Sequence, residues 1–234
     1  MIADALAARL AVVEDRLAAA CRRANRARDE VTLIAVTKTV SNEVAALLPA
    51  LGILDLGESR PQELWRKAAM IEPPVRWHLI GHLQRNKIER TLPLIEYMHS
   101  VDSVRLLTAL EDACRSASRT LPALLEVNAS REANKHGFAP EDVPELASRL
   151  AKLKHVRIEG LMTMAAYEEE AERTRPTFAA LRTLRDRLTA ALGRPLPHLS
   201  MGMSNDFDIA VEEGATMVRL GSVLFEDLME GIAE

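Results

Sequence analysis

Apolar side chains recur at Ile2, Leu6, Leu10, Val13, Leu17 and Ala20, the three-to-four spacing of one helix face, and predict a long opening helix over residues 2–28. Beyond it the period changes. Short apolar runs at Leu33–Thr37, Ile53–Leu56, Val75–Leu79, Tyr97–Val101, Ala123–Val127, Arg157–Leu161, His198–Met201 and Met217–Leu220 read as buried strands. Stretches with helical spacing separate them, at 41–50, 60–71, 84–94, 103–118, 140–152, 169–191 and 205–213. Ser41, Ser103 and Ser204 stand where N-caps are expected. Eight strands alternating with helices over about 200 residues predict a closed (β/α)8 TIM-type barrel with an additional N-terminal helix. A doubly wound open sheet is the alternative. No linker or second hydrophobic block interrupts the alternation, so residues 1–234 read as one domain, with 1–28 the leading helix and 31–225 the barrel.

Composition narrows the class. Apolar residues make up 48% of the chain but aromatics only 3%, so the core must be built from Leu, Ala, Val, Ile and Met. A net charge of −4 gives no reason to expect nucleic-acid binding. Cys21 and Cys114 lie far apart without metal-type spacing and read as free thiols of a reducing compartment. Asp4, Glu14 and Asp15 in the opening helix argue against a signal peptide or membrane span, so a cytoplasmic protein is expected. A closed barrel leaves no sheet edge that demands a partner, which makes a monomer the expectation.

In such a barrel, chemistry collects where strands end. The first strand delivers Lys38 in the run VTLIAVTKT. An amine there, partly desolvated, would have a lowered pKa and could condense with an aldehyde; a solvated surface lysine is the competing reading. Other exits supply Gly57-Glu58-Ser59-Arg60, a stretch from His78 to Lys87 with a second histidine at His82, and Met162 and Met164. The last two exits, Ser200-Met201-Gly202-Met203-Ser204 and Arg219-Leu220-Gly221-Ser222, combine small residues with hydroxyls. That combination suits an anion, and phosphate sites recur after the seventh and eighth strands of this fold. Arg219, inside a strand, needs a partner: either a carboxylate such as Glu126 or Glu58, or a ligand ring nitrogen. His78 and His82 stand four apart, but Gly81 between them argues against a regular helix and no Cys or carboxylate cluster accompanies them, so no metal site is predicted. The acidic run Glu168–Glu172 reads as a solvated helix start.

The motifs AVTKT, GES with QE beyond it, WHLIGHLQRNK, HSVDS, NKHGF, GLMTM and LSMGMSNDFDIAVEEGATMVRLGS resemble the pyridoxal-phosphate homeostasis protein family, relatives of the barrel half of alanine racemase, over residues 31–225. The resemblance implies that Lys38 holds pyridoxal 5′-phosphate (PLP) as a Schiff base. It also implies that Ser200, Gly221 and Ser222 bind the phosphate with Met201 and Ser204 beside them, that Arg219 faces the pyridine nitrogen, and that His78 and Ser59 line the cofactor. The implied role is intracellular buffering and delivery of PLP, with apo-enzymes as transient partners. A PLP-dependent racemase of the same barrel is the alternative, and a cofactor-free Schiff-base aldolase a third. Racemisation needs a second acid/base on the opposite ring face, and the only tyrosines are Tyr97 and Tyr167. The chain departs from the family at three places: Ser59-Arg60 for Asn-Tyr, Ser222 for Thr, and Phe225-Glu226 for Phe-Gly.

Overall fold

The computed structural model describes residues 1–72, 74–132, 136–166, 170–226 and 228. Strands β1 (Thr32–Val36), β2 (Asp55–Glu58), β3 (Arg76–Leu79), β4 (Tyr97–Val101), β5 (Leu121–Glu126), β6 (Val156–Met162), β7 (His198–Ser200) and β8 (Met217–Leu220) join in chain order. They form a closed parallel barrel, with β8 pairing back onto β1 through Leu33–Val218 and Ile34–Arg219. The doubly wound alternative is thereby excluded.

Helices α1 (Ile2–Arg23), α2 (Asn42–Ala45), α3 (Pro61–Ala68), α4 (Ile88–Thr91), α5 (Val104–Ser116), α6 (Ala147–Leu150), α7 (Arg175–Leu192), α8 (Phe207–Glu212) and α9 (Ser222–Phe225) surround it. Most of the apolar core lies between strands and helices, while Ile34, Tyr97, Leu124, Met162 and Met217 form a small separate cluster. α1 buries Leu6, Leu10, Val13, Leu17, Ala20 and Cys21, and packs against α8 and α9.

Several helices are shorter than their apolar spacing predicts, and prolines account for most of this. Pro49 and Pro144 each open a short 3₁₀ turn and Pro93 is the second residue of another, so the expected helices at 41–50, 84–94 and 140–152 break into pieces. α1 stops at Arg23 because Asn25 takes a left-handed conformation (φ 54°) and Arg26 donates to the carbonyls of Val211 and Ala215 at 3.0 and 2.7 Å. Ser41 and Ser103 cap α2 and α5, accepting from Val44 and Leu106. Ser204 caps nothing; its hydroxyl serves another purpose below. Cys21 and Cys114 are buried free thiols. Tyr167, Glu168, Glu169, Asn134 and Lys135, which belong to the segments named above, lie outside the described residues. Among the described residues no helix is long and apolar enough to cross a membrane.

Candidate functional site

A cavity of about 500 Å³ opens at the C-terminal ends of the strands. Its lining takes Lys38 and Thr39 from the β1 exit, Ser59 from β2, Gly81 after β3, Met164 after β6, Ser204 and Asp206 after β7, and Arg219, Gly221 and Ser222 from β8. Six of the nine residues singled out from the sequence therefore share one space: Lys38, Ser59, Ser204, Arg219, Gly221 and Ser222. Ser200, Met201 and His78 do not line it; all three are buried inside the fold. A larger hollow of about 710 Å³ lies between α5 and α6, on the outside of the barrel.

Lys38 is exposed at the cavity, where the sequence predicts a partly desolvated amine. The buried lysine of this region is a different one. Lys67, on the apolar face of α3 with Pro61 and Leu64, reaches under the β1 exit. Its Nζ donates to Glu58 Oε1 at 2.6 Å and to the Thr37 carbonyl, while Thr37 Oγ1 donates to the same Glu58 oxygen at 2.6 Å. Lys67 is 1% exposed and Glu58 0%, and the second carboxylate oxygen, Glu58 Oε2, has no partner. The residue immediately before Lys38 is thus tied down by a buried ion pair. A lysine at the Pro61–Leu64–Lys67 spacing, where the helix face is otherwise apolar, was the sequence signal for it.

The two final exits are clamped together. Ser204 Oγ accepts from the backbone N–H of Gly221 at 3.3 Å and of Val223 at 3.2 Å, joining the β7 loop to the start of α9. Asp206 Oδ1 accepts from the Met203 N–H at 2.6 Å and fixes the same loop from inside. Burial pushes the Asp206 carboxyl above the usual carboxylate range.

Arg219 is buried and forms no ion pair with Glu126 or Glu58. It donates to Ser200 Oγ at 2.5 Å and to the Thr163 carbonyl at 2.9 Å. Burial pulls the guanidinium down to about 10, which leaves it charged at neutral pH. Burial, with the Asp102 charge adding to it, lifts the nearby Glu126 carboxyl to about 7 against the pull of Arg219.

From Arg219 a polar column descends through the barrel. Ser200 Oγ meets His99 Nδ1 at 2.9 Å, His99 Nε2 meets His78 Nδ1 at 2.9 Å, and His78 Nε2 meets Asp55 Oδ1 at 3.0 Å. Arg76 closes the lower end with two bonds to Asp55 at 2.7 and 2.5 Å. One assignment of protons gives every pair a donor: Arg219 to Ser200, Ser200 to His99, His99 to His78, His78 to Asp55. Burial, reinforced by the neighbouring His78 and Arg219, drives His99 well below the usual imidazole range and keeps it neutral. Burial raises the Asp55 carboxyl, but the bonds from His78 and Arg76 outweigh it and hold the group at about 2. Ser200 and His78 are thus linked to the cavity wall by way of Arg219. His99 opens the HSVDS motif and Asp55 lies within the second strand, and neither is assigned a role from the sequence.

The family model described as "Alanine racemase, N-terminal domain" matches residues 12–228. A pyridoxal phosphate homeostasis protein of Aquifex aeolicus is 39% identical over 218 residues, covering 93% of this chain and 96% of that one. A protein of the same name from Pseudomonas aeruginosa is 38% identical over 221 residues, covering 94% of each. Among solved structures, PipY of Synechococcus elongatus with PLP bound superposes with a TM-score of 0.83 at 32% identity, over 94% of this chain and 99% of that one. A D-threonine aldolase of Filomicrobium marinum shares the fold at 20% identity (TM-score 0.74), over 96% of this chain and 61% of that one.

Proposed function

This chain belongs to the pyridoxal phosphate homeostasis protein family, built on the alanine racemase N-terminal domain, and on that footing we propose that it binds PLP at the β-strand exits and serves in homeostasis of that cofactor. The observation that carries the proposal is the convergence of an amine, a hydroxyl-lined loop pair and a buried cation on one cavity of about 500 Å³. That volume lies in the range of small-ligand pockets. Bound PLP supplies an aldehyde for a primary amine, a phosphate and a pyridine ring.

The residues fit each of these. Lys38, exposed in the cavity, provides the amine for a Schiff-base link. Gly221 and Ser222, held against Ser204, form the phosphate end, with the fixed charge of Arg219 deeper in the wall. Facing the pyridine nitrogen of bound PLP, the charged Arg219 would disfavour a proton there and so weaken the ring as an electron sink, which suits holding the cofactor. Tyr97 offers no second acid or base to the cavity. It lies outside the lining, and its hydroxyl donates to Glu159 Oε2 at 2.6 Å. Burial, then Glu159, raises its pKa above the usual phenol range. These features favour buffering and delivery of PLP, with apo-enzymes as transient recipients, over amino-acid racemisation. We read the protein as cytoplasmic and monomeric.

Borohydride trapping tests the link directly. The full chain is incubated with PLP, reduced, digested and mapped by mass spectrometry. The expected result is a pyridoxyl adduct on Lys38 and loss of visible absorbance in Lys38→Ala. No uptake by the unmodified chain, or an adduct only on other lysines, overturns the proposal.

A further inference from the structure

Three donors from consecutive strand exits meet on another part of the barrel mouth. His82 follows β3, Asp102 directly follows β4, and His136 lies beyond β5. One ligand atom from each lies within 4.8 Å of the other two. His82 Nδ1 is 2.6 Å from Asp102 Oδ2, and the His82 and His136 rings stack with centroids 5.1 Å apart at 19°. We propose that His82, Asp102 and His136 form a binding site for a zinc-class divalent cation, with solvent or an anion in the fourth position.

The chemistry of the donors sets the class. Two imidazoles and one carboxylate suit zinc and its neighbours, whereas calcium and magnesium want oxygen ligands throughout. Metal–ligand distances of about 2.0–2.2 Å place the donor atoms of a tetrahedral site roughly 3.3–3.6 Å apart. The separations here, from 2.6 Å up to 4.8 Å, bracket that spacing, so rotations of the side chains close the site without moving the backbone.

The backbone beneath each donor is fixed. Ser100 Oγ donates to the Gly81 carbonyl at 2.6 Å, and a Cβ on Gly81 would stand 2.2 Å from the Ser59 carbonyl oxygen. The residue preceding His82 is therefore wedged between β2 and β4. Asp102 has a side chain only 7% exposed, at the end of its strand. His136 sits two residues before a pin. Phe138 N–H donates to the Glu126 carbonyl at 2.8 Å, and Asn128 N–H donates to the Phe138 carbonyl at 3.0 Å. Gly137 between them takes φ +110°, with no room for a side chain because a Cβ would lie 2.9 Å from the Glu126 oxygen. Residues 136–138 are thereby held against the end of β5, with His136 beside His82. Such fixed donors lower the ordering cost of binding a metal. No residue of the proposed PLP cavity belongs to this triad, so the two proposals stand or fall separately.

The test uses the full chain, stripped with a chelator. Zn²⁺ alone is titrated by calorimetry and Co²⁺ alone is followed by its visible spectrum. The expected result is one saturable ion per chain, with four-coordinate cobalt bands. His136→Ala, His82→Ala and Asp102→Asn should each weaken Zn²⁺ by at least about tenfold. His155→Ala, at a histidine that pairs with Glu111 elsewhere, should bind as the unmodified chain does. His136 is exposed, so its variant keeps its fold, checked by circular dichroism. Absence of saturable binding overturns the proposal. So does affinity that survives His136→Ala, or that falls equally in His155→Ala.

Discussion

Replacing Lys67 by methionine probes the buried ion pair under Lys38. Methionine keeps most of the volume of the lysine stem, so the change is chiefly the loss of a charge. Glu58 is then left fully buried with both oxygens short of a cation, and the Thr37 carbonyl loses its donor. Removing one partner of a buried pair costs about 3–5 kcal/mol. A domain stability of about 5–15 kcal/mol absorbs this, so the variant folds. With a urea slope of about 2 kcal/mol per M, the unfolding midpoint falls by roughly 1.5–2.5 M. PLP uptake falls with it, because Thr37 immediately precedes Lys38. Pairing the change with Glu58→Leu removes the orphaned carboxylate, and replacement of a whole buried pair by apolar groups is often neutral. The double variant should recover at least half of the lost stability. A Lys67→Met midpoint within about 0.3 M of the unmodified chain would refute the reasoning. A double variant less stable than the single would do the same.

Gly81→Ala drives a Cβ to 2.2 Å from the Ser59 carbonyl oxygen and 2.9 Å from its carbon, both main-chain atoms. At about 1–3 kcal/mol for overpacking, and about 2–4 °C per kcal/mol in a chain of this size, calorimetry should show a melting temperature lower by several degrees. Ser204→Ala removes the acceptor shared by Gly221 and Val223. Equilibrium dialysis should find PLP held about fivefold more weakly, the equivalent of about 1 kcal/mol. Glu111 caps the approach to β6, accepting from the N–H groups of Lys154, His155 and Val156 and from the His155 ring. Burial raises its carboxyl, yet those bonds hold it at about 2 rather than 4.5. Because the folded pKa is depressed, the stabilisation is complete above pH 4.5 and disappears as pH falls toward 2. The shift corresponds to about 3 kcal/mol, reduced to about 2 by solvent at a side chain that is 18% exposed. Chemical denaturation from pH 7 to 2 should show Glu111→Gln less stable at neutral pH and converging on the unmodified chain in acid. A constant gap would count against it.

Strand order and the strand exits were readable because parallel strands buried on both faces appear as continuous apolar runs, and all eight fall within a few residues of their expected positions. Helix lengths were less so, since Pro49, Pro93 and Pro144 each sit inside an otherwise helical pattern and cut it short. Lys38, Ser59, Ser204, Arg219, Gly221 and Ser222 could be gathered in advance because residues at successive exits must share the barrel mouth. Ser200 and His78 sit near those exits in sequence, yet the strand pleat turns their side chains inward, where His99, Asp55 and Arg76 take them up. That column depends on cross-strand register, such as Gly57 opposite His78 and His78 opposite Tyr97, which periodicity does not reveal. The His82 cluster was hidden for a similar reason. The near neighbour in sequence, His78, points into the barrel, while Asp102 and His136 arrive from the next two exits.

The pairing of β8 with β1 gives the chain a timing as well as a shape. Lys38 belongs to the first strand and Arg219, Gly221 and Ser222 to the last, so the two halves of the cavity are separated by nearly the whole of the intervening sequence. A ribosome must emit the chain through Ser222 before β1 and the β8 exit can meet. The proposed competence for PLP then waits on β8, and a product cut short before that strand has the amine but not its anion-binding counterpart.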